Sequence, residues 1–149
     1  MASFSCVIYI HATAAEVWNG IIDPKLTSRY WFHEMVSDWK VGSEWLHRRT
    51  DDEGTVDILG EVIESDPPHR LVLSWAKPED VEDPNKVSKV AFEISAQDQW
   101  PLGPWTGIQV VHSELEPDSE MLHSISFGWP AVLSGLKSII ERPDIFDAE

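Results

Sequence analysis

The run Trp129-Pro-Ala-Val-Leu-Ser-Gly-Leu-Lys-Ser-Ile-Ile-Glu-Arg142 sets large apolar residues at Trp129, Val132, Leu133, Leu136 and Ile140, with Ile139 beside them. That i, i+3, i+4, i+7 rhythm predicts a helix with one buried stripe. Pro130 fits the first turn, where a missing N–H costs nothing, and Pro143 stops the run. Ser134, Lys137, Ser138 and Glu141 make the opposite face polar, so the helix lies on an apolar surface rather than within one. At 1.5 Å per residue it is a rod of roughly 20 Å. Nearly everything upstream reads as strand. The expected partner is therefore a sheet that wraps the helix, with the gap between them as the working part.

From Phe4 to His11 apolar and polar residues alternate, as in a strand with one more apolar face. Thr13-Ala-Ala-Glu16 has capping-box spacing and opens a helix expected to bury Ala14, Val17, Trp18, Ile21 and Ile22. Asp23-Pro24 ends it and starts a second short helix near Lys25 to Arg29, followed by the aromatic run Tyr30-Trp31-Phe32. Strands are expected at Trp45 to Thr50, Val56 to Ser65, Arg70 to Ala76, Val87 to Ala96 and Gly107 to Leu115. Gly60, inside a strand, signals a bulge or a sharp bend. Gln97 to Thr106 and Glu116 to Glu120 read as loops. The order is strand, helix, helix, five consecutive strands, long helix. This predicts an α+β fold in which a curved antiparallel sheet of about six strands wraps a long C-terminal helix.

The 149 residues show no composition break and suit a single domain, 1–149. Cys6 is the one cysteine, so no internal disulfide is possible. The opening Met-Ala-Ser-Phe-Ser-Cys lacks the basic region and apolar block of a signal peptide, and no apolar run is long enough to span a bilayer. A soluble, cytoplasmic protein is expected, as monomer or homodimer. The net charge of −15 repels phosphate backbones and anionic lipid, which argues against nucleic acid and membrane as partners. Eight tryptophans are the compositional outlier, and indole suits pocket walls as well as cores.

Several strings together resemble the SRPBCC, or START-like, superfamily with its helix-grip fold. They are Ala14-Ala-Glu-Val-Trp18 with Asp23-Pro24, Tyr30-Trp31-Phe32, Val41-Gly42, Gly60-Glu-Val62 with Asp66-Pro-Pro68, Leu71 with Ser74-Trp75, and Gly128-Trp129-Pro130 with Leu133 to Lys137. Within that superfamily the chain is similar to homologues of the C-terminal domain of the heat-shock chaperone ATPase activator, over about residues 5 to 142. Where many members have paired glycines this chain has Gly42-Ser43. The resemblance implies a cavity between sheet and C-terminal helix that in relatives takes hydrophobic or amphipathic molecules. It implies no shared catalytic set.

The residues themselves offer little chemistry. There is no phosphate-cradling glycine loop and no Gly-x-Ser-x-Gly elbow. Six histidines are scattered without metal-ligand spacing, so no metal and no cofactor are expected. Glu61 and Glu64 point to opposite strand faces and do not form an acid–base pair. Candidate ligand-binding walls are Trp31, Trp45, Ile58, Trp75 and Phe92, with Val110, Trp129, Val132 and Leu136. His47 and His112, on the helix-facing side of the sheet, are the candidate polar handles, although the satisfied core histidine is the favoured reading of both. An inward Arg49 would need a carboxylate partner. The expected function is non-catalytic binding of a hydrophobic or amphipathic small molecule. The alternatives are an interaction protein that contacts a chaperone or another protein, and a cyclase- or hydrolase-like enzyme.

Overall fold

Alternation along the first strand translates directly into sidedness. In β1 (Ala2–Ile10) Phe4, Cys6 and Ile8 lean on the core and Ile10 is fully buried, while Val7 and Tyr9 face outward. The Thr13 hydroxyl then accepts from the Glu16 N–H at 3.2 Å, and Glu16 Oε1 accepts from the Thr13 N–H at 3.0 Å. This reciprocal cap starts α1 (Ala14–Ile22). Asp23 accepts from the Lys25 N–H and starts α2 (Pro24–Tyr30), with Pro24 in its first turn. Tyr30 donates its hydroxyl to the Gly20 carbonyl at 2.9 Å, which ties the two short helices together. The computed structural model describes residues 1–97, 101–145 and 147.

Next comes a strand that the sequence pattern does not announce, β2 (His33–Val36). It has four residues, only Met35 of which is buried, and so carries no readable alternation. Phe32, at φ 58°, turns the chain out of α2 into it. The remaining strands, β3 (Glu44–Arg49), β4 (Val56–Asp66), β5 (Arg70–Trp75), β6 (Ser88–Ala96) and β7 (Thr106–Leu115), lie close to their expected places. All seven form one antiparallel sheet in the order β1-β7-β6-β5-β4-β3-β2.

The sheet folds over at β4. Residues Val56 to Glu61 pair with β3, and Val62 to Asp66 pair with β5. Gly60 lies between the Leu59–Ala76 and Val62–Leu73 pairs, where a Cβ would lie 2.0 Å from the Ser74 carbonyl oxygen. Only glycine allows that approach. The same Ser74 carbonyl accepts from Trp45 Nε1 at 2.8 Å, and the Ser74 hydroxyl accepts from the Glu61 N–H at 2.8 Å. Register shifts flank Gly60, at His47/Arg48 in the pairing with β3 and at Val62/Glu64 in the pairing with β5.

The closing helix, α3 (Glu120–Glu141), has 22 residues and is about half as long again as the Trp129–Arg142 rod. Ser119 caps it, accepting from the Leu122 N–H at 3.1 Å. Pro130 therefore stands in the helix interior, not in its first turn. The hydroxyls of Ser126 and Ser134 donate back to the carbonyls of Leu122 and Pro130, one turn earlier in each case. Ile125, Trp129, Leu133, Leu136 and Ile139 form the buried stripe. Beyond Trp129 the helix is pressed onto its neighbours: Leu136 Cδ1 would lie 2.6 Å from a Cβ at Gly20, and the Tyr30 ring 3.2 Å from one at Gly135. Lys137 reaches the Tyr9 carbonyl of β1 at 2.8 Å. Among the described residues no helix is long and apolar enough to cross a membrane.

Candidate functional site: the trough beneath the long helix

Ahead of Trp129 the same helix does not close down on the sheet. It leaves an apolar trough of about 180 Å³. Trp31 at the end of α2, Ile58 of β4 and Trp75 of β5 form its floor and one side. Its roof is α3, through Met121, Ile125, Trp129 and Val132, with Gly128 providing a gap and Ser124 the one hydroxyl. At Ile58, Met121 and Ser124 the trough meets a wider basin of about 410 Å³. The basin has a mostly apolar lining, with the charged side chains of Asp57, Lys77, Glu79 and Glu120 around it.

The aromatic walls brace one another. Trp129 has its ring centroid 5.6 Å from Trp31, 5.3 Å from Trp75 and 5.6 Å from Phe92. Its indole N–H lies 3.0 Å from His112 Nδ1. Indole nitrogen only donates, so Nδ1 of His112 accepts and the proton of the neutral ring sits on Nε2. That Nε2 donates to the Ser88 hydroxyl at 2.7 Å, and Ser88 in turn donates to the Trp75 carbonyl at 3.2 Å. Burial holds the His112 pKa down to about 4, since nothing nearby compensates the desolvated cation. Both ring nitrogens are thus occupied by protein partners, and His112 ties the roof at Trp129 to the strand that carries Trp75.

His47 lies on the other side of Trp31, its ring 4.7 Å away and edge-on. It stacks face to face on His33, with centroids 3.9 Å apart, and its Nδ1 is 3.2 Å from the Met35 sulfur, an acceptor. Burial pushes the His47 pKa down to about 3, helped by His33 and opposed by Asp57. His33 in turn has Nδ1 2.9 Å from the Trp31 carbonyl and Nε2 2.8 Å from Asp57 Oδ2. Arg49 grips Asp57 with two hydrogen bonds of 2.7 and 2.8 Å and holds its carboxyl down near 2, with His33 assisting. The carboxylate partner that an inward Arg49 would need is therefore Asp57, although Arg49 itself is exposed. Among the described residues no group of His, Cys, Asp or Glu converges to hold a metal ion.

The structure thus brings Trp31, Ile58, Trp75, Trp129 and Val132 together around one hollow. Trp45, Phe92, Val110 and Leu136 are fully buried core behind it, and His47 and His112 stand beside it with protein partners. Trp100 lies outside the described residues. Met121, Ser124, Ile125 and Gly128 line the trough without having stood out in the sequence, because they occupy the part of α3 that precedes the obvious periodicity. Ser119 followed by Met121, Leu122 and Ile125 was the available signal: an N-cap and then helical spacing. One polar atom remains without a partner. Among the described residues Trp75 Nε1 is the single buried side-chain nitrogen or oxygen that makes no hydrogen bond.

The sequence profile of the family described as "Activator of Hsp90 ATPase homolog 1-like protein" matches residues 11–141. Several solved structures share the fold. CalU16 from Micromonospora echinospora superposes with a TM-score of 0.71 at 23% identity, over 95% of this chain and 77% of its own. The Aha1 dimer from Colwellia psychrerythraea gives 0.75 at 17% identity, over 99% and 100%. An HSP90 activator from Plasmodium falciparum gives 0.71 at 20% identity, over 93% and 96%. A comparison with curated proteins gave no match.

Proposed function

The chain belongs to the activator of Hsp90 ATPase homolog 1-like family, and from that premise we propose that it is a non-catalytic binding protein whose trough takes up a small apolar or amphipathic molecule. One observation carries this reading: three indole rings and α3 line a trough of about 180 Å³, open to the surface, that no side chain fills. Protein interiors are otherwise packed to crystal density, and a hollow lined by apolar groups forfeits dispersion contacts that a guest restores. A cavity of about 150 Å³ holds benzene, so this trough suits a single ring, with room for a polar end in the basin. A binding rather than catalytic role is supported by the surroundings. His112 and Asp57 spend their hydrogen bonds on the protein itself.

The test is a series of single-ring aromatic compounds followed by tryptophan fluorescence and thermal melting. Trp31, Trp75 and Trp129 should report a guest, and the melting temperature should climb with its concentration. Unchanged emission and melting across the series would remove this reading.

A second reading, a protein-binding domain of the chaperone-activator type, is supported by the family match and by Phe32 and Phe127, which are 70% and 82% exposed. With a net charge of −15 such a contact should be strongest at low salt. Calorimetry against the chaperone at low and high ionic strength separates the two readings.

A further inference from the structure

The two edges of the sheet are finished differently. β2 has four residues and carries His33 and Glu34, and an edge so short and polar does not invite another strand. β1, the opposite edge, has nine residues with no charged side chain and no proline. The direction of its free backbone groups follows from the pairing. Gln97 donates its backbone N–H to the Trp105 carbonyl at 2.8 Å, so the β7 residues that turn towards β6 are Gly107, Gln109 and Val111. Thr106, Ile108 and Val110 therefore turn towards β1 and engage Ile10, Ile8 and Cys6. Ser3, Ser5, Val7 and Tyr9 are left with N–H and C=O pointing away from the sheet. The Tyr9 carbonyl agrees, since Lys137 Nζ caps it from outside at 2.8 Å. Among the described residues nothing comparable reaches Ser3, Ser5 or Val7. The side chains of this edge are uncovered too. Phe4, Cys6 and Ile8 face the core but are only partly buried, and Val7, on the other face, is 47% exposed.

We infer that β1 is a docking edge for a second copy of this chain, which adds its own β1 antiparallel and continues the sheet across a two-fold axis. Unpaired donors and acceptors fit any extended strand; the charge selects the copy. On a chain of net charge −15 a basic partner is drawn to acidic surface, and β1 has none. A second copy is repelled by the rest of the molecule and meets least repulsion where both sides of the contact are uncharged. A strand paired antiparallel with itself is self-complementary, as a two-fold contact requires. The Lys137 cap sets the register. Outward-pointing residues must oppose one another. Only with Ser5 opposite the second copy's Ser5, and Ser3 opposite its Val7, do all the free groups from Ser3 to Val7 pair among themselves and leave the capped Tyr9 carbonyl outside. Phe4 then lies across from the second copy's Cys6, which covers the partly buried row.

Sedimentation equilibrium of the full chain, at low and at high salt, reads the association. Because the contact brings two chains of charge −15 together, the dimer should tighten as salt screens them. That is the reverse of the salt dependence expected of a chaperone contact. Ser5→Lys and Ser5→Glu each place like charges directly opposite one another across the axis. Ser5 is exposed, so the fold of the monomer, read by its melting temperature, is kept. Either variant alone should dimerise about fivefold more weakly, and a mixture of the two should restore the dimer. Amide exchange at Ser5 and Val7 should slow as the dimer forms. A chain that stays monomeric at high salt and high concentration would overturn the inference and leave β1 to a strand of another protein. A dimer that salt weakens, or one indifferent to the charge at Ser5, would overturn it as well. None of these outcomes bears on the trough.

Discussion

Nδ1 of His112 sits 3.0 Å from Nε1 of Trp129, and the one-way chemistry of indole forces the histidine to be the acceptor. The tautomer is therefore set by geometry, and protonating Nδ1 would break the contact. Burial independently holds the pKa at about 4, well under the ordinary 6.5.

A pH dependence of stability is the first expectation. Both His112, near 4, and His47, near 3, have folded pKa values below 6.5, so the unfolded chain binds protons first as the pH falls. Their contribution is complete above pH 6.5 and is lost as the pH drops towards 4 and then 3. Each accounts for about 3 kcal/mol between pH 7 and 4. Chemical denaturation at both pH values checks this, and an unchanged midpoint would contradict it.

Trp129→Phe leaves His112 Nδ1 as a buried acceptor without a donor. A loss of about 2–3 kcal/mol of stability is expected from the unpaired group and the smaller ring. Equilibrium urea unfolding measures it; a loss under about 0.5 kcal/mol would mean that the hydrogen bond does not carry the weight given to it here.

Gly60→Ala meets backbone, not a side chain that can swing away, at 2.0 Å. The expected result is a loss of at least about 4 kcal/mol or failure to fold, since β4 cannot lie against the Ser74 backbone of β5 without that approach. Circular dichroism and soluble yield report it.

Gly128→Ala should act in the opposite direction. A Cβ there meets nothing within 4 Å, and the site is in the interior of α3. Replacing glycine by alanine at such a helical position stabilises by about 1 kcal/mol. A rise in melting temperature is expected; a fall would show that the added methyl group disturbs the trough.

Arg49→Met isolates the pair at the end of β3. The Asp57 carboxyl should titrate upwards from about 2, with His33 alone left to hold it down. Its contribution to stability, present above the ordinary carboxylate value of 3.8 and lost as the pH falls through 2, should shrink accordingly. Because Arg49 is exposed and screened, the effect at neutral pH should be slight. Carbon-detected NMR of the Asp57 carboxyl follows the titration.

Legibility in the sequence followed the strength of local signals. The cap at Thr13 and Glu16 and the alternation of Phe4 to Ile10 each rest on a few adjacent residues, and each appears where it was expected. The first turns of α3 were hidden because Ser124, Ser126 and Gly128 are weak helix formers and Pro130 imitates a helix start; burial of Ile125 and the cap at Ser119 override both. β2 was hidden because one buried residue, Met35, makes no pattern. Around the trough, aromatic residues were identifiable as wall material. Whether a given ring faced the hollow or lay behind it depended on where the sheet bends, which no local pattern encodes: Trp45 and Phe92 alternate as convincingly as Trp75 does.

The hydrogen-bonded thread from Trp129 through His112 and Ser88 to the Trp75 carbonyl links α3 to three successive strands. It works as a spacer bar, holding the helix and the strands beneath it at a set separation. A visiting molecule consequently finds a mould that is already cast, and the loss of conformational freedom that otherwise weakens association is largely incurred when the chain folds.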